Sequence, residues 1–181
     1  MRYRRVRIEG AIYFFTVVTY KRRPIFRDPD AVAKLMTAIT SVQASHPFEI
    51  SAQVVLPDHL HALWSLPDED SNYPMRWRQI KGAFTRAYEN SGVADPKPDS
   101  RRDKREQTVW QRRYWEHTIR GDKDFTAHVE YIHFNPVKHR LAARPRDWLH
   151  STFHDWVKRG LYDVDWAADA ELNFGPVAIQ E

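Results

Sequence analysis

The chain reads as an α+β protein, a split βαβ antiparallel sheet with helices on one face. Three observations predict it. Runs rich in β-branched and aromatic residues at 10–20, 48–56, 59–66 and 114–120 have strand character. Apolar residues recur at helical spacing in three further segments. The order that results is strand, helix, strand, strand, helix, strand, helix, which closes most simply into one such sheet.

The first strand spans residues 10–20 and ends at Lys21-Arg22-Arg23-Pro24. Asp28 is then placed to cap a helix with Pro29 at its first position. Val32, Leu35, Met36, Ile39 and Val42 carry its apolar spacing to about Ala44, and His46-Pro47 breaks it. In the second strand, alternation puts Phe48, Ile50, Ala52 and Val54 on one face. Pro57-Asp58 makes a tight turn into the third strand and completes a hairpin. A second helix over residues 75–90 buries Trp77, Ile80, Phe84 and Tyr88 and turns Arg76, Arg78, Lys81 and Arg86 the other way. Residues 93–108 are charged, hold two prolines and read as a mobile loop. After the fourth strand, Asp122 caps a third helix that runs through Phe125, Val129 and Ile132 to about Asn135, where Pro136 limits it. The domain is expected to occupy residues 1–141. Residues 142–181 form a C-terminal extension that Pro145, Trp148, Phe153, Trp156 and Trp166 dock on it, with a loosely ordered acidic end.

Composition narrows the function. The 181 residues contain no cysteine, which excludes disulfides, thiolate-bound zinc and a thiol nucleophile. No apolar run approaches a membrane span and no secretory leader opens the chain, so a cytoplasmic protein without a membrane partner is expected. The net charge of +4 is unevenly spread: the first 162 residues carry 28 basic against 19 acidic side chains. Basic clusters interleaved with Tyr and Trp suit nucleic acid, because cations neutralise phosphates and aromatic faces stack on unpaired bases. Arg2, Arg4 and Arg5, the helix face of Arg76, Arg78 and Lys81, and Arg112 with Arg113 are the electrostatic candidates. A merely soluble basic surface would have the same composition.

Two short stretches carry chemistry. His59 and His61 are two apart on a strand, so both imidazoles point to one face while Leu60 turns to the core. Such a pair begins a metal site, or else is simply the polar side of a strand. Tyr131 and Asn135 are four apart and share a helix face. They offer a nucleophilic hydroxyl and an oxygen ligand. Packing of the tyrosine and a helix stop before Pro136 explain the same two residues without chemistry.

Together these stretches resemble a known family. The pattern Val-Val-Leu-Pro-Asp-His-Leu-His at 54–61 is similar to the HUH motif of the single-tyrosine transposases, the IS200-like group. The resemblance is to the REP-associated tyrosine transposases within it, and it extends through Arg-Trp-Arg-Gln-Ile-Lys (76–81) and Trp-Gln-Arg-Arg-Tyr-Trp-Glu-His (110–117). It continues in His-Val-Glu-Tyr-Ile-His-Phe-Asn-Pro-Val-Lys-His (128–139) and Trp-Leu-His-Ser-Thr-Phe-His (148–154). The resemblance implies a ferredoxin-like domain that cuts and rejoins single-stranded DNA at hairpins of repetitive palindromes through a 5′-phosphotyrosine intermediate. It assigns the nucleophile to Tyr131, the metal to His59, His61 and Asn135, and the ion to Mg2+ or Mn2+, although imidazoles by themselves favour zinc, nickel or manganese over magnesium. It also draws His150, His154 and Trp156 of the tail into base recognition. It implies a nucleoid-associated monomer or homodimer. A domesticated binder of palindromic DNA or structured RNA that does not cut is the alternative. A replication or relaxation nickase fits the motifs less well.

Overall fold

A computed structural model describes residues 7–92 and 109–167. Arg2, Arg4, Arg5, the 93–108 segment and the acidic end from residue 168 lie outside the described residues. Four strands, β1 (Ile12–Val18), β2 (Glu49–Val55), β3 (His59–Ser65) and β4 (Trp115–Thr118), form one antiparallel sheet in the order β2-β3-β1-β4. Helix α1 (Pro29–Ser45) connects β1 to β2 and α2 (Tyr73–Glu89) connects β3 to β4. This is the predicted split βαβ order, with the two β-α-β units interleaved.

Local sequence explains most boundaries. The Asp28 side chain accepts the Asp30 N–H and Pro29 opens α1, as capping rules require. Asn72 does the same for α2, accepting from the Met75 N–H two residues earlier than the predicted start. Tyr13, Phe15 and Val17 of β1 and Leu60, Ala62 and Trp64 of β3 pack against α1 and α2. The Trp64 and Trp77 rings stack there at 4.2 Å, and Phe48 lies 4.1 Å from Trp64. Each buried side chain of this kind contributes about 1.5–3 kcal/mol.

The expectation of helices on one face holds for α1 and α2. The third helix, α3 (Asp122–Lys138), crosses the opposite face, where Val129 and Ile132 pack with Phe14, Ala52, Val54 and Leu63. The face expected to be free of helices is therefore covered. Its physical cause is the second apolar row of β1, β2 and β3, which α3 removes from water. A β-bulge between Ile50 and Ala52 breaks the alternation predicted for β2. Ile50 and Phe48 consequently face α1 and α2, whereas Ala52 and Val54 face α3.

Two predicted ends of α3 also move. Its N-cap is Gly121, with φ of 120°, and Asp122 is its first residue without a side-chain cap bond. Only glycine takes that backbone conformation readily, so the sharp turn out of β4 falls there. Pro136 does not stop the helix. Its ring forfeits one bond, to the carbonyl one turn back, but Phe134, Asn135 and Pro136 are all buried and the helix continues to Lys138.

The chain then returns to the free edge of β2. Ser151 bridges Val54, the Val55 N–H donates to the His150 carbonyl at 2.9 Å, and the Thr152 N–H donates to the Gln53 carbonyl at 2.9 Å. The indoles of Trp148 and Trp156 donate to the Val55 and Ser51 carbonyls. A short helix, α4 (Phe153–Lys158), follows. No helix among the described residues is long and apolar enough to cross a membrane.

Candidate active site

β3 is an inner strand, paired with β1 on one side and β2 on the other. His59 and His61 both point to the α3 face and their ring centroids are 4.9 Å apart. Leu60 turns to the other core, as alternation requires. Each imidazole is held by its Nδ1. His59 Nδ1 lies 2.5 Å from Asp58 Oδ1, and His61 Nδ1 lies 2.9 Å from the hydroxyl of Thr16, its cross-strand partner on β1. A proton on Nδ1, which both partners can accept, leaves Nε2 with a lone pair. Both Nε2 atoms are buried without a hydrogen-bond partner among the described residues.

Asp58 is itself held. Arg22 donates to its second oxygen at 3.1 Å, from a loop in which Lys21 and Arg22 both adopt positive φ. Burial alone would raise the Asp58 carboxyl, but hydrogen bonds from His59 and Arg22 outweigh it and hold the group below the ordinary carboxylate value. The result is a carboxylate oriented at a histidine, the outer-shell arrangement that fixes a metal ligand. Burial likewise pushes the His61 imidazole well below its ordinary value, with the neighbouring His59 acting the same way. His61 is therefore neutral, the state a metal ligand needs.

α3 brings the other half. The Tyr131 ring lies 5.3 Å from His61, edge to face, and Phe14 packs between β1 and the helix 5.4 Å from His61 and 6.1 Å from Tyr131. Asn135, one turn further on, is fully buried, and both side-chain polar atoms lack hydrogen-bond partners among the described residues. Because the helix continues past Pro136, Lys138 reaches back over the tyrosine. Its ammonium donates to the Tyr131 hydroxyl at 3.3 Å and lies 4.8 Å from the ring centroid. His139 places its ring 5.5 Å from His59. Two imidazoles with open Nε2 atoms suit a divalent ion, and Asn135, one turn beyond Tyr131 on the same helix, offers an oxygen donor. Beside it stand a phenol and an ammonium.

Asp58, Thr16 and Lys138 were not predicted for this site. Asp58 reads as a turn residue in the sequence, although a carboxylate next to a ligand histidine is itself a signal. Thr16 follows only from strand register. Lys138 is seven residues from Tyr131, two turns along one helix face, and was hidden by the stop expected at Pro136.

The predicted phosphate contacts divide. Arg76 is corrected: it is buried, and its guanidinium donates to the His46 and Pro47 carbonyls and to Asp70 Oδ2 at 2.7–3.1 Å. A buried fork spent on protein oxygens cannot reach a phosphate. Lys81 is half-buried and donates to the Gln111 carbonyl at 2.6 Å. Arg78, Arg112 and Arg113 are exposed. His154 sits against the Trp148 carbonyl at 3.1 Å, and His150 lines a cavity of about 200 Å³ with Val32, Met36 and Leu149.

Comparison with known proteins gives the family. Residues 8–135 match the family described as transposase, IS200-like. The REP-associated tyrosine transposase of Escherichia coli is 44% identical over 92% of this chain and 91% of its own length. A Haemophilus influenzae relative is 39% identical over 94% of this chain and 95% of its own. The solved structure of a REP-associated tyrosine transposase bound to a REP hairpin superposes with a TM-score of 0.79 at 41% identity, covering 99% of both chains. The chain thus belongs to the IS200-like transposases, in the group of REP-associated tyrosine transposases.

Proposed function

We propose that this transposase cuts and rejoins single-stranded DNA at hairpins of REP-like palindromes, with Tyr131 as nucleophile. The observation that carries the reading is the meeting of His59, His61 and Tyr131 from two distant stretches, with rings 4.9 and 5.3 Å apart. His59, His61 and Asn135 would hold a divalent ion, Mg2+ or Mn2+, which when bound polarises the scissile phosphate.

The chain's own groups do the rest. The Tyr131 oxygen attacks phosphorus, a phosphotyrosine bond forms, and the bond to the 3′-oxygen of the flanking nucleotide breaks. Lys138, donating to the hydroxyl, stabilises negative charge developing on the tyrosine oxygen as its proton passes to water, and the departing 3′-oxygen takes up a proton from water in turn. Asp58 and Thr16 keep His59 and His61 in fixed ring orientations. The phosphotyrosine retains the phosphodiester's free energy, so a new 3′-hydroxyl reverses the step without a nucleotide cofactor. The partner is a DNA hairpin, as in the solved relative's complex. Exposed Arg78, Arg112 and Arg113 are its phosphate contacts, with His150 and His154 beside the unpaired bases.

A second reading, binding without cutting, draws on the closure of the site: Tyr131 is 3% exposed and Asn135 is fully buried. Incubation with a labelled single-stranded hairpin and Mn2+ separates the two. Cleavage is expected from the wild type, and none from Tyr131→Phe or from wild type in chelator. Binding without cleavage by the wild type would leave the second reading standing.

A further inference from the structure

We propose that His117, Asp124 and His128 form a second cation site, distinct from the His59/His61 pair, that takes a divalent transition-metal ion of the zinc class. His117 lies on β4, and Asp124 and His128 are four apart on the first two turns of α3, on one face. One donor atom from each lies within 4.8 Å of the others, and no other three His, Asp or Glu donors among the described residues gather this way. His117 Nε2 is 2.8 Å from Asp124 Oδ2, and His128 Nδ1 is 3.0 Å from Asp124 Oδ1. Two imidazoles and one carboxylate make a donor set used for zinc and for non-haem iron. Metal–donor bonds of about 2.0–2.2 Å separate tetrahedral donors by roughly 3.3–3.5 Å, a spacing within the 4.8 Å over which the three donor atoms gather.

The surroundings favour coordination over a simple clamp. His128 Nδ1 lies 2.8 Å from the main-chain carbonyl of Asp124, which fixes the proton on Nδ1. Its Nε2 is left with a lone pair, buried and without a hydrogen-bond partner among the described residues. A ligand histidine is typically oriented in this manner by its other nitrogen. The Arg120 N–H donates to Asp124 Oδ2 at 2.9 Å and orients the carboxylate. The two rings are stacked, 4.9 Å apart and inclined by 13°, so one of them turns out of the stack for both nitrogens to reach one ion. The His117 and Asp124 side chains keep 23% and 26% of their exposure, which leaves a solvent path and a position for water as fourth ligand. An ion here would tie β4 to the helix that carries Tyr131, three residues beyond His128.

The test is zinc titration by calorimetry into full-length protein carrying His59→Ala and His61→Ala, stripped with chelator and desalted. One ion per chain is expected, with visible absorption when Co2+ replaces zinc. His128→Ala and the isosteric Asp124→Asn, each added to that background, should weaken binding by more than the roughly 10- to 100-fold that outer-shell changes cause. Asp124→Asn should do so with an unchanged circular dichroism spectrum. Absence of zinc binding in the His59→Ala/His61→Ala protein would overturn the site, as would affinity that neither added substitution lowers. Neither result involves DNA cleavage, so failure here and failure of the proposed transposase activity are told apart.

Discussion

Asp58 shows how much one side chain outside the proposed ligand set decides. Its carboxylate fixes the His59 ring at 2.5 Å and is itself steered by Arg22. Asp58→Asn keeps the size but weakens the pull on the His59 Nδ1 proton. It is expected to lower Mn2+ affinity and cleavage about 10- to 100-fold while hairpin binding without metal stays unchanged; metal-dependence curves of cleavage against a gel-shift control check this. Equal loss in both assays would make Asp58 a folding residue. Lys138 has the complementary place, beside Tyr131 instead of the two histidines, so its removal should act on the proposed chemical step.

At the scale of elements, α3 determines whether the site exists. Val129 and Ile132 bury one side of the helix against β1, β2 and β3, and the same turns present Tyr131 to His61. Ile132→Ala removes a fully buried side chain and should cost about 2–5 kcal/mol of unfolding free energy, read from urea melts. Cleavage by the folded fraction should fall as well, because the tyrosine's support is gone. The capping of α1, the hairpin of β2 and β3 and the pairing of His59 with His61 were legible in the sequence, since each depends on residues close along the chain. The bulge at Ile50–Ala52 was not, because alternation is a rule for regular strands and nothing local marks the extra residue. The side on which α3 packs was not legible either. Its apolar row states that a face is buried without saying against which side of the sheet. Arg76 reads as one more cation on a basic helix, and only the fold reveals that carbonyls from the α1–β2 turn surround it.

The whole molecule couples the tail, the sheet and acid stability. His133 is fully buried, and its Nε2 lies 2.9 Å from Thr152, whose main chain pairs with the edge of β2. Burial pushes its imidazole down to about 3. Between pH 6.5 and 3 the unfolded chain therefore binds a proton that the folded chain does not. Stability is full above the ordinary histidine value and falls as pH drops through that window, by about 1.4 kcal/mol per pH unit for one proton. His61 and His128, also pushed down by burial, act in the same direction. Urea midpoints between pH 7 and 4.5 should decline, and His133→Gln should make that decline shallower; an unchanged slope would contradict the assignment. Charge acts at the same scale. With 28 basic residues against 19 acidic ones in the first 162, hairpin affinity should drop steeply between low and moderate salt. A flat response would mean that phosphates do not lead binding.

The proposed chemistry requires that Tyr131 become covalently joined to DNA. The most direct measurement is mass spectrometry of protein incubated with a single-stranded REP-like hairpin and Mn2+, then denatured and digested with trypsin and nuclease. The peptide covering residues 124–138 contains a single tyrosine. It should carry the mass of a 5′-linked nucleotide in the wild type and none in Tyr131→Phe. A nucleotide on another peptide, or an equal adduct in Tyr131→Phe, would rule out Tyr131 as the nucleophile.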